Sequence, residues 1–423
     1  MAQLSERKIN YKHKIKDYRG FDPVVNRSIQ KQKTALKGKV IIHINSTPEG
    51  GGVAELLVSQ VALEQSLGLN SHWFYVEASS EFFRVTKKIH NLLQGMRGQL
   101  TRLEQKIYLD TNRKFAELLA RVAGHLKPDI IVIHDPQPLP IIDSFSEKSK
   151  LILRLHIDLS EPNQWMINFL KPYLVNYGRV IVSGQDFVSV LPKYIRRRTT
   201  VILPAIDPLS EKNLPMGRQR AEQIMKKLGL HPSRPCVSQV SRFDPWKDPS
   251  GALDVYLLAK KELPDLQLVL AGIIHAKDDP QAWSVLEKVR RRVQGHPGIF
   301  LFWDQGQIRP YSIDTFISAV FTASSVIIQR SIKEGFGLTI TEAMWKAKPI
   351  IGNNAHGVRL QIQDGKNGII AANRSKAAQA LIKLVKNTKL NRRIGRAAQA
   401  SVRKNFLLPR FILDNLRVYK KLT

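Results

Sequence analysis

Val40-Ile41-Ile42-His43-Ile44-Asn45-Ser46-Thr47-Pro48-Glu49-Gly50-Gly51-Gly52-Val53-Ala54-Glu55-Leu56-Leu57-Val58-Ser59-Gln60-Val61-Ala62-Leu63-Glu64 changes its hydrophobic period halfway along. The first five residues form a short apolar run bounded by turn residues, the pattern of a strand buried on both faces. After the glycines, apolar residues recur at helical spacing. Strand, glycine loop and helix in that order let backbone N–H groups approach an anion closely. The loop lacks the G-x-G-x-x-G spacing of a dinucleotide site and the Gly-Lys-Ser/Thr of an NTPase P-loop. A plain turn stays open as a reading, although three consecutive glycines carry an entropy cost that a plain turn would not require.

The alternation continues on the C-terminal side. Trp73 to Val76, Ile130 to Ile133, Leu151 to Leu153 and Val180 to Val182 read as strands, with helical stretches near Phe115 to Leu126 and Gln164 to Leu174. Repeated strand–helix alternation predicts a doubly wound parallel sheet with right-handed crossovers. His134-Asp135 follow the Ile130 strand, and Arg154, His156 and Asp158 follow the Leu151 strand. Ligands of open α/β sheets bind beyond the carboxyl ends of strands, so this repeated placement weighs against a purely structural role for the histidines. The proline-bearing segment from Leu203 to Leu209 and the polar run to Asn213 predict an interdomain linker.

The pattern then restarts. Val237 to Val240 reads as a strand, Ser241 to Pro249 as a loop and Gly251 to Glu262 as a helix, followed by strands at Leu266 to Leu270, Ile299 to Phe302, Val326 to Ile328 and Pro349 to Ile351. Arg242 and Lys247 place two cations on the first of these loops, suited to a diphosphate, although solvated surface cations are the simpler reading of the pair alone. Glu334-Gly335-Phe336-Gly337-Leu338-Thr339-Ile340-Thr341-Glu342 joins the Val326 strand to a further helix. If that helix starts near Leu338, its free N–H groups point at a phosphate or at hydroxyl oxygens, with a carboxylate on either side. From spacing alone, a helix entry whose glycines merely turn the chain is an equal reading.

At 423 residues, with 43% apolar and 24% charged residues, the chain predicts two or three ordinary globular domains. Sixty-six Lys and Arg against 35 Asp and Glu leave +31. Such a field attracts nucleotides, nucleic acid or an anionic membrane face without choosing among them. The lone cysteine, Cys236, excludes an internal disulfide and reads as an inert core thiol. No stretch has the apolar length of a signal peptide core or a membrane span, so a cytoplasmic location is expected. Residues 1–37 are strongly basic and read as a solvated arm.

With Arg242, Lys247, Glu334 and Glu342 in one half and the glycine loop and His156 in the other, the chain resembles the retaining glycosyltransferases of the two-Rossmann-domain type (GT-B, family 4). It is most similar to those that make trehalose from a nucleotide sugar and glucose, and to the related retaining trehalose phosphorylases. The segments that carry the likeness are His43 to Thr47 with Gly50 to Glu55, Val85 to Lys87 with His90-Asn91, His134 to Pro138, Arg154 to Asn163, Ala205 to Ser210, Ser241 to Pro249, Asp278-Asp279-Pro280 and Gln329 to Lys346. The resemblance implies an α/β fold of two Rossmann-like domains facing a cleft, with an acceptor domain at 38–208, a nucleotide-sugar domain at 209–405 and a final helix at 406–423 that crosses back. It implies that Glu342 binds the donor ribose, that Glu334 and the amides of Gly335, Phe336, Gly337, Leu338 and Thr339 hold the sugar, and that Arg242 and Lys247 hold the diphosphate. The Gly51-Gly52 loop would close over the phosphate, His156 would contact the transferred sugar and Asp135 would bind hydroxyls near the acceptor. His156, Asp135, Arg242, Lys247 and Glu334 are thus the expected catalytic set. No metal or other cofactor is expected, since cations and a helix N-terminus can stabilise the leaving group and no Asp-x-Asp is present. His356-Gly357-Val358 departs from the family pattern, as does Gln305 to Phe321.

The expected reaction is glucosyl transfer from ADP- or UDP-glucose to glucose, forming trehalose reversibly. Phosphorolysis of trehalose by inorganic phosphate is the alternative, and a non-catalytic polyanion-binding protein on the same scaffold is the alternative of another class. The resemblance is compatible with a homodimer, and the charge with nonspecific attraction to polyanions or membrane surfaces.

Overall fold

The computed structural model describes residues 2–273 and 280–423. Asp278 and Asp279 of the Asp-Asp-Pro segment lie outside the described residues. The chain divides into two compact units, Met1–Ala205 with Leu408–Thr423, and Ile206–Leu407. The division falls slightly before the expected boundary at 208 and slightly after the one at 405.

Unit 1 contains β1 (Gln3–Glu6), α1 (Pro23–Leu36), β2 (Val40–Asn45), α2 (Gly52–Ser66), β3 (Asn70–Glu77), α3 (Ser80–Leu93), α4 (Arg102–Leu126), β4 (Ile130–His134), β5 (Leu151–Arg154), α5 (Gln164–Leu174), β6 (Arg179–Val182), α6 (Gln185–Val190), α7 (Lys193–Arg196) and β7 (Thr199–Val201). The sheet order is β1-β3-β2-β4-β5-β6-β7. All neighbours run parallel except β1, which lies antiparallel on β3. The chain leaves β2 towards β3 on one side and returns through α4 to β4 on the other, so the order reverses between β2 and β4. That reversal opens a crevice at the strand ends. β4 and β5 are buried along their whole length, which accounts for their unbroken apolar runs.

The basic N-terminal arm is not a solvated extension. β1 covers the β3 edge, Asp22 caps α1 by accepting from the N–H groups of Val24 and Val25, and α1 packs on the last helix of the chain. Ile15, Tyr18, Ile29 and Leu36 are buried. The high density of lysine and arginine hid this sparse apolar stripe, whose cations point outward while four anchors point in.

Unit 2 contains α8 (Arg218–Lys227), β8 (Cys236–Val240), α9 (Pro249–Lys260), β9 (Gln267–Ala271), α10 (Pro280–Val293), β10 (Ile299–Phe302), α11 (Ile313–Ala323), β11 (Val326–Gln329), α12 (Leu338–Trp345), β12 (Ile350–Gly352), α13 (His356–Arg359), β13 (Ile369–Ile370), α14 (Arg374–Lys386) and α15 (Thr388–Asn405). Its sheet is parallel throughout, in the order β10-β9-β8-β11-β12-β13, and reverses between β8 and β11. Cys236 is buried on β8 and burial pushes its thiol up to about 12, the state of an inert core residue. Among the described residues, no helix is long and apolar enough to cross a membrane.

The last helix, α16 (Leu408–Lys420), returns to unit 1, where it packs on α1 and α2. Phe411, Ile412, Leu416 and Tyr419 are buried there. Leu416→Ala is expected to cost about 2–5 kcal/mol, seen as a lowered urea midpoint. Val24→Ala, at a position 62% exposed, should leave the midpoint unchanged.

Candidate functional site

Both sheets place sequence-selected residues at their reversal points. In unit 2 these are the loops after β8 and β11. The β8 loop carries Arg242 and ends in a short 3-10 turn, Pro245–Lys247. Asp248 then takes a left-handed conformation (φ 43°), and its carboxylate caps α9 through the Gly251 N–H. The turn sets the Lys247 ammonium against Glu334: Nζ donates to Oε2 at 2.6 Å. Ser331 Oγ donates to the same oxygen at 3.0 Å, and Gln329 Nε2 donates to Ser331 Oγ at 2.8 Å. Gln239 on β8 joins the two loops, donating to the Lys247 carbonyl and accepting from the Arg330 N–H.

The Glu334–Glu342 stretch has the geometry of a helix entry with open amides. α12 starts at Leu338 with Gly337 as its N-cap, at φ 89°, a conformation that a side chain would strain. No side chain caps this end. Phe336 is buried edge-on against Phe406, so Gly335 and Gly337 flank an anchored residue. Leu338 and Thr339 are half-buried in the first turn. Glu342, one turn further, is 2% exposed and pairs with Lys212 at 2.6 Å. Arg242 stands apart: its side chain is 60% exposed and lies 3.7 Å from the Asp244 carboxylate. The structure thus brings Lys247 and Glu334 together, puts Glu342 on the helix that follows with a different cation, and leaves the Arg242 side chain largely exposed.

His356-Gly357, which departs from the family pattern, supports this turn from below. The Gly357 N–H donates to the Glu334 carbonyl at 2.8 Å, and a Cβ at Gly357 would lie 2.6 Å from that oxygen and 2.7 Å from Phe336 Cα. Gln361 Nε2 donates to the carbonyls of Phe336 at 2.5 Å, Gly337 at 3.2 Å and Gly357 at 3.3 Å. Its Oε1 accepts from Thr341 Oγ1. Gln239, Ser331, Gln361 and Lys212 escaped the sequence reading. Lys212 lies in the run read as linker, and nothing in spacing marks a glutamine that bonds a backbone twenty-five residues away.

In unit 1, Gly50 and Gly51 take positive φ (74° and 144°), and α2 starts at Gly52 with no side chain capping it. Asp135, after β4, is left-handed at φ 65°, and its Oδ1 accepts the His156 N–H at 2.7 Å. Burial raises its carboxyl from 3.8 to about 7, against the opposing influence of that N–H and of the Arg154 charge. His156, after β5, is half-buried, and its Nε2 lies 2.9 Å from His134 Nδ1. Asp135 and His156 therefore form one cluster at the reversal point, with Gly51 and Gly52 on the loop after the neighbouring strand. Arg154 is buried beside them, over the Phe411 ring at 4.6 Å. Among the described residues, no group of three or more His, Cys, Asp or Glu is arranged to hold a metal ion.

Residues 43–189 match the family model for the trehalose synthase N-terminal domain, and residues 220–401 that for glycosyl transferases group 1. Trehalose synthase of Rubrobacter xylanophilus is 38% identical over 424 residues, 98% of this chain and 99% of the relative. Trehalose phosphorylase of Pleurotus pulmonarius is 28% identical, over 77% of this chain and 49% of its own. Among solved structures, an α,α-trehalose 6-phosphate synthase from Burkholderia multivorans superposes with a TM-score of 0.72 at 16% identity, covering 91% of this chain and 98% of that one. At that identity the likeness shows the fold, two doubly wound domains of the GT-B kind.

Gly357→Ala must push the Glu334 and Phe336 backbone aside, and a loss of about 1–3 kcal/mol in thermal stability is expected. Asp135 supplies a pH test. Its folded-state value lies above its unfolded one, so between pH 4 and 7 the unfolded chain sheds a proton that the folded chain keeps. Stability therefore falls across that window and levels off above it. Asp135→Asn, which can still accept the His156 N–H, should remove a decline on the order of 4 kcal/mol from the pH–stability profile measured by urea titration.

Proposed function

The chain belongs to the trehalose synthase family of group 1 glycosyl transferases, and we propose from that membership and from its site geometry that it moves glucose from a nucleoside-diphosphate glucose to free glucose, forming trehalose. The single observation that carries the reading is the Lys247–Glu334 pair, closed at 2.6 Å beside the uncapped start of α12. A cation fixed by a carboxylate, next to a helix N-terminus, suits a site where negative charge develops on a departing phosphate oxygen.

The residues divide the work as follows. Lys247, helped by the solvent-facing Arg242, neutralises the diphosphate. Glu334 and the amides after Gly335 hold the sugar hydroxyls, and Glu342, with Lys212 beside it, takes the ribose. Asp135 and His156 supply polar groups for sugar hydroxyls on unit 1, and Gly51 and Gly52 offer backbone amides to phosphate. The bond from the anomeric carbon to the diphosphate breaks, a bond to the acceptor hydroxyl oxygen forms on the same face, and the hydroxyl proton passes to the departing phosphate. Configuration is retained in this scheme without a protein nucleophile, and no metal is required. ADP- and UDP-glucose are the donors proposed.

The test is incubation of the protein with ADP-, UDP- or GDP-glucose and glucose in chelator, with NMR of the product. An α,α-linked disaccharide supports the reading, and none with any donor defeats it. Trehalose plus inorganic phosphate yielding glucose 1-phosphate would instead assign the chain to phosphorolysis, the reaction named for its more distant relatives. Within the first reading, Glu342→Gln should weaken nucleotide-sugar binding by about tenfold with little loss of turnover, whereas Lys247→Ala should lower kcat by about 100-fold or more. Isothermal titration and steady-state kinetics separate the two, and the reverse order would exchange the roles.

A further inference from the structure

Behind His156 runs a chain of buried ionisable side chains that the transfer scheme leaves unused. His156 Nε2 lies 2.9 Å from His134 Nδ1, His134 Nε2 lies 3.1 Å from His43 Nδ1, and His43 Nε2 lies 3.0 Å from Glu64 Oε2. Its inner members, His134, His43 and Glu64, are all buried. At the far end, Gln60 Nε2 (2.9 Å) and the Tyr419 hydroxyl (3.1 Å) both donate to the other Glu64 oxygen, Oε1. β2, the end of β4, the loop after β5 and two helices, α2 and α16, are therefore connected through one line of hydrogen bonds.

A neutral imidazole donates from one nitrogen and accepts at the other. Glu64 can only accept while ionised, so His43 carries its proton on Nε2 and offers the Nδ1 lone pair to His134. His134 must then donate from Nε2 and accept at Nδ1, and His156 must donate from Nε2. The outer nitrogen of His156, Nδ1, is left as a bare lone pair, and no described residue bonds it. Reversing the line would set the His43 Nε2 lone pair against a carboxylate at 3.0 Å, or else require an added buried proton.

We infer that Glu64, through His43 and His134, is a positioning residue that fixes His156 as a hydrogen-bond acceptor, so that the ligand group at His156 is a hydroxyl that donates and not an anionic oxygen. The electrostatics agree. Burial alone would raise the Glu64 carboxyl, but the His43 ring and the surrounding hydrogen bonds outweigh it and hold the group ionised. Burial first, with the Arg154 charge adding to it, keeps His134 and His156 well below the usual imidazole range, hence neutral. The hydroxyl as ligand rests on reading His156 as a sugar contact, while the direction of the line stands apart from that reading.

Glu64→Gln reverses the line without changing its shape. Gln60 and Tyr419 both aim donors at the Oε1 position, so the new amide keeps its oxygen there and turns its NH2 towards His43. His43 must then accept at Nε2, and each proton in the line moves to the opposite nitrogen, ending with an N–H at His156 Nδ1. Selective [15N]histidine labelling, with His156→Asn for assignment, reads the tautomer directly. The wild type should show a lone-pair Nδ1 and a protonated Nε2 at His156, and Glu64→Gln should exchange them. In the transfer assay Glu64→Gln should raise the KM for one sugar substrate by about 10- to 100-fold, more than it lowers kcat. A wild-type His156 protonated on Nδ1 would overturn the inference even if the variant fails to fold. An unaltered tautomer in a folded variant would do the same. Should no sugar be transferred at all, the function falls while the tautomer measurement still decides the direction of the line.

Discussion

Glu334 answers to three loops at once. Its carboxylate takes the Lys247 ammonium from the β8 loop and the Ser331 hydroxyl from its own, while its carbonyl takes the Gly357 amide from the segment after β12. A buried carboxylate is tolerated only when charge and hydrogen bonds together replace water. Meeting that requirement fixes the spacing of the three loops, and with it the direction in which the amides of α12 point. The glycines follow from the same constraint: Gly337 because the chain must turn through a left-handed residue, Gly357 because a carbonyl occupies the place of its side chain.

Unit 1 solves a similar topological problem with different chemistry. Its sheet also reverses at the strand ends, but the groups gathered there are imidazoles and a carboxyl raised by burial, not a closed ion pair. Unit 2 gathers cations each held by a carboxylate, whereas unit 1 gathers neutral rings and a raised carboxyl beside the buried Arg154.

The fold was legible because βαβ alternation writes itself into hydrophobic periodicity: the ten strands expected from apolar runs all form, with ends shifted by a few residues at most. β1, β7 and β13 went unseen, being short edge strands with mixed exposure. The chemistry-bearing residues at strand ends were legible by type and position, Glu334, Glu342, Lys247, Asp135 and His156 among them. Their partners were not. Lys212 and Glu342 are far apart in sequence, as are Gln239 and Arg330 or Glu64 and Tyr419, and no local period encodes such pairs. The outward Arg242 shows the converse, since a cation's presence on the right loop says nothing of where its side chain rests.

The return of α16 gives the two units different histories. Unit 2 is one continuous stretch of chain, so every contact it needs is available once residue 407 has been made. Unit 1 must wait: the hydroxyl that completes the bonding of Glu64 belongs to Tyr419, some 355 positions later. During synthesis on the ribosome, the buried acid in α2 would remain short of one donor while all of unit 2 is translated. All strands of the unit 1 sheet precede unit 2 in the chain, so what comes last is the helix face that α16 covers and, with it, the full bonding of Glu64.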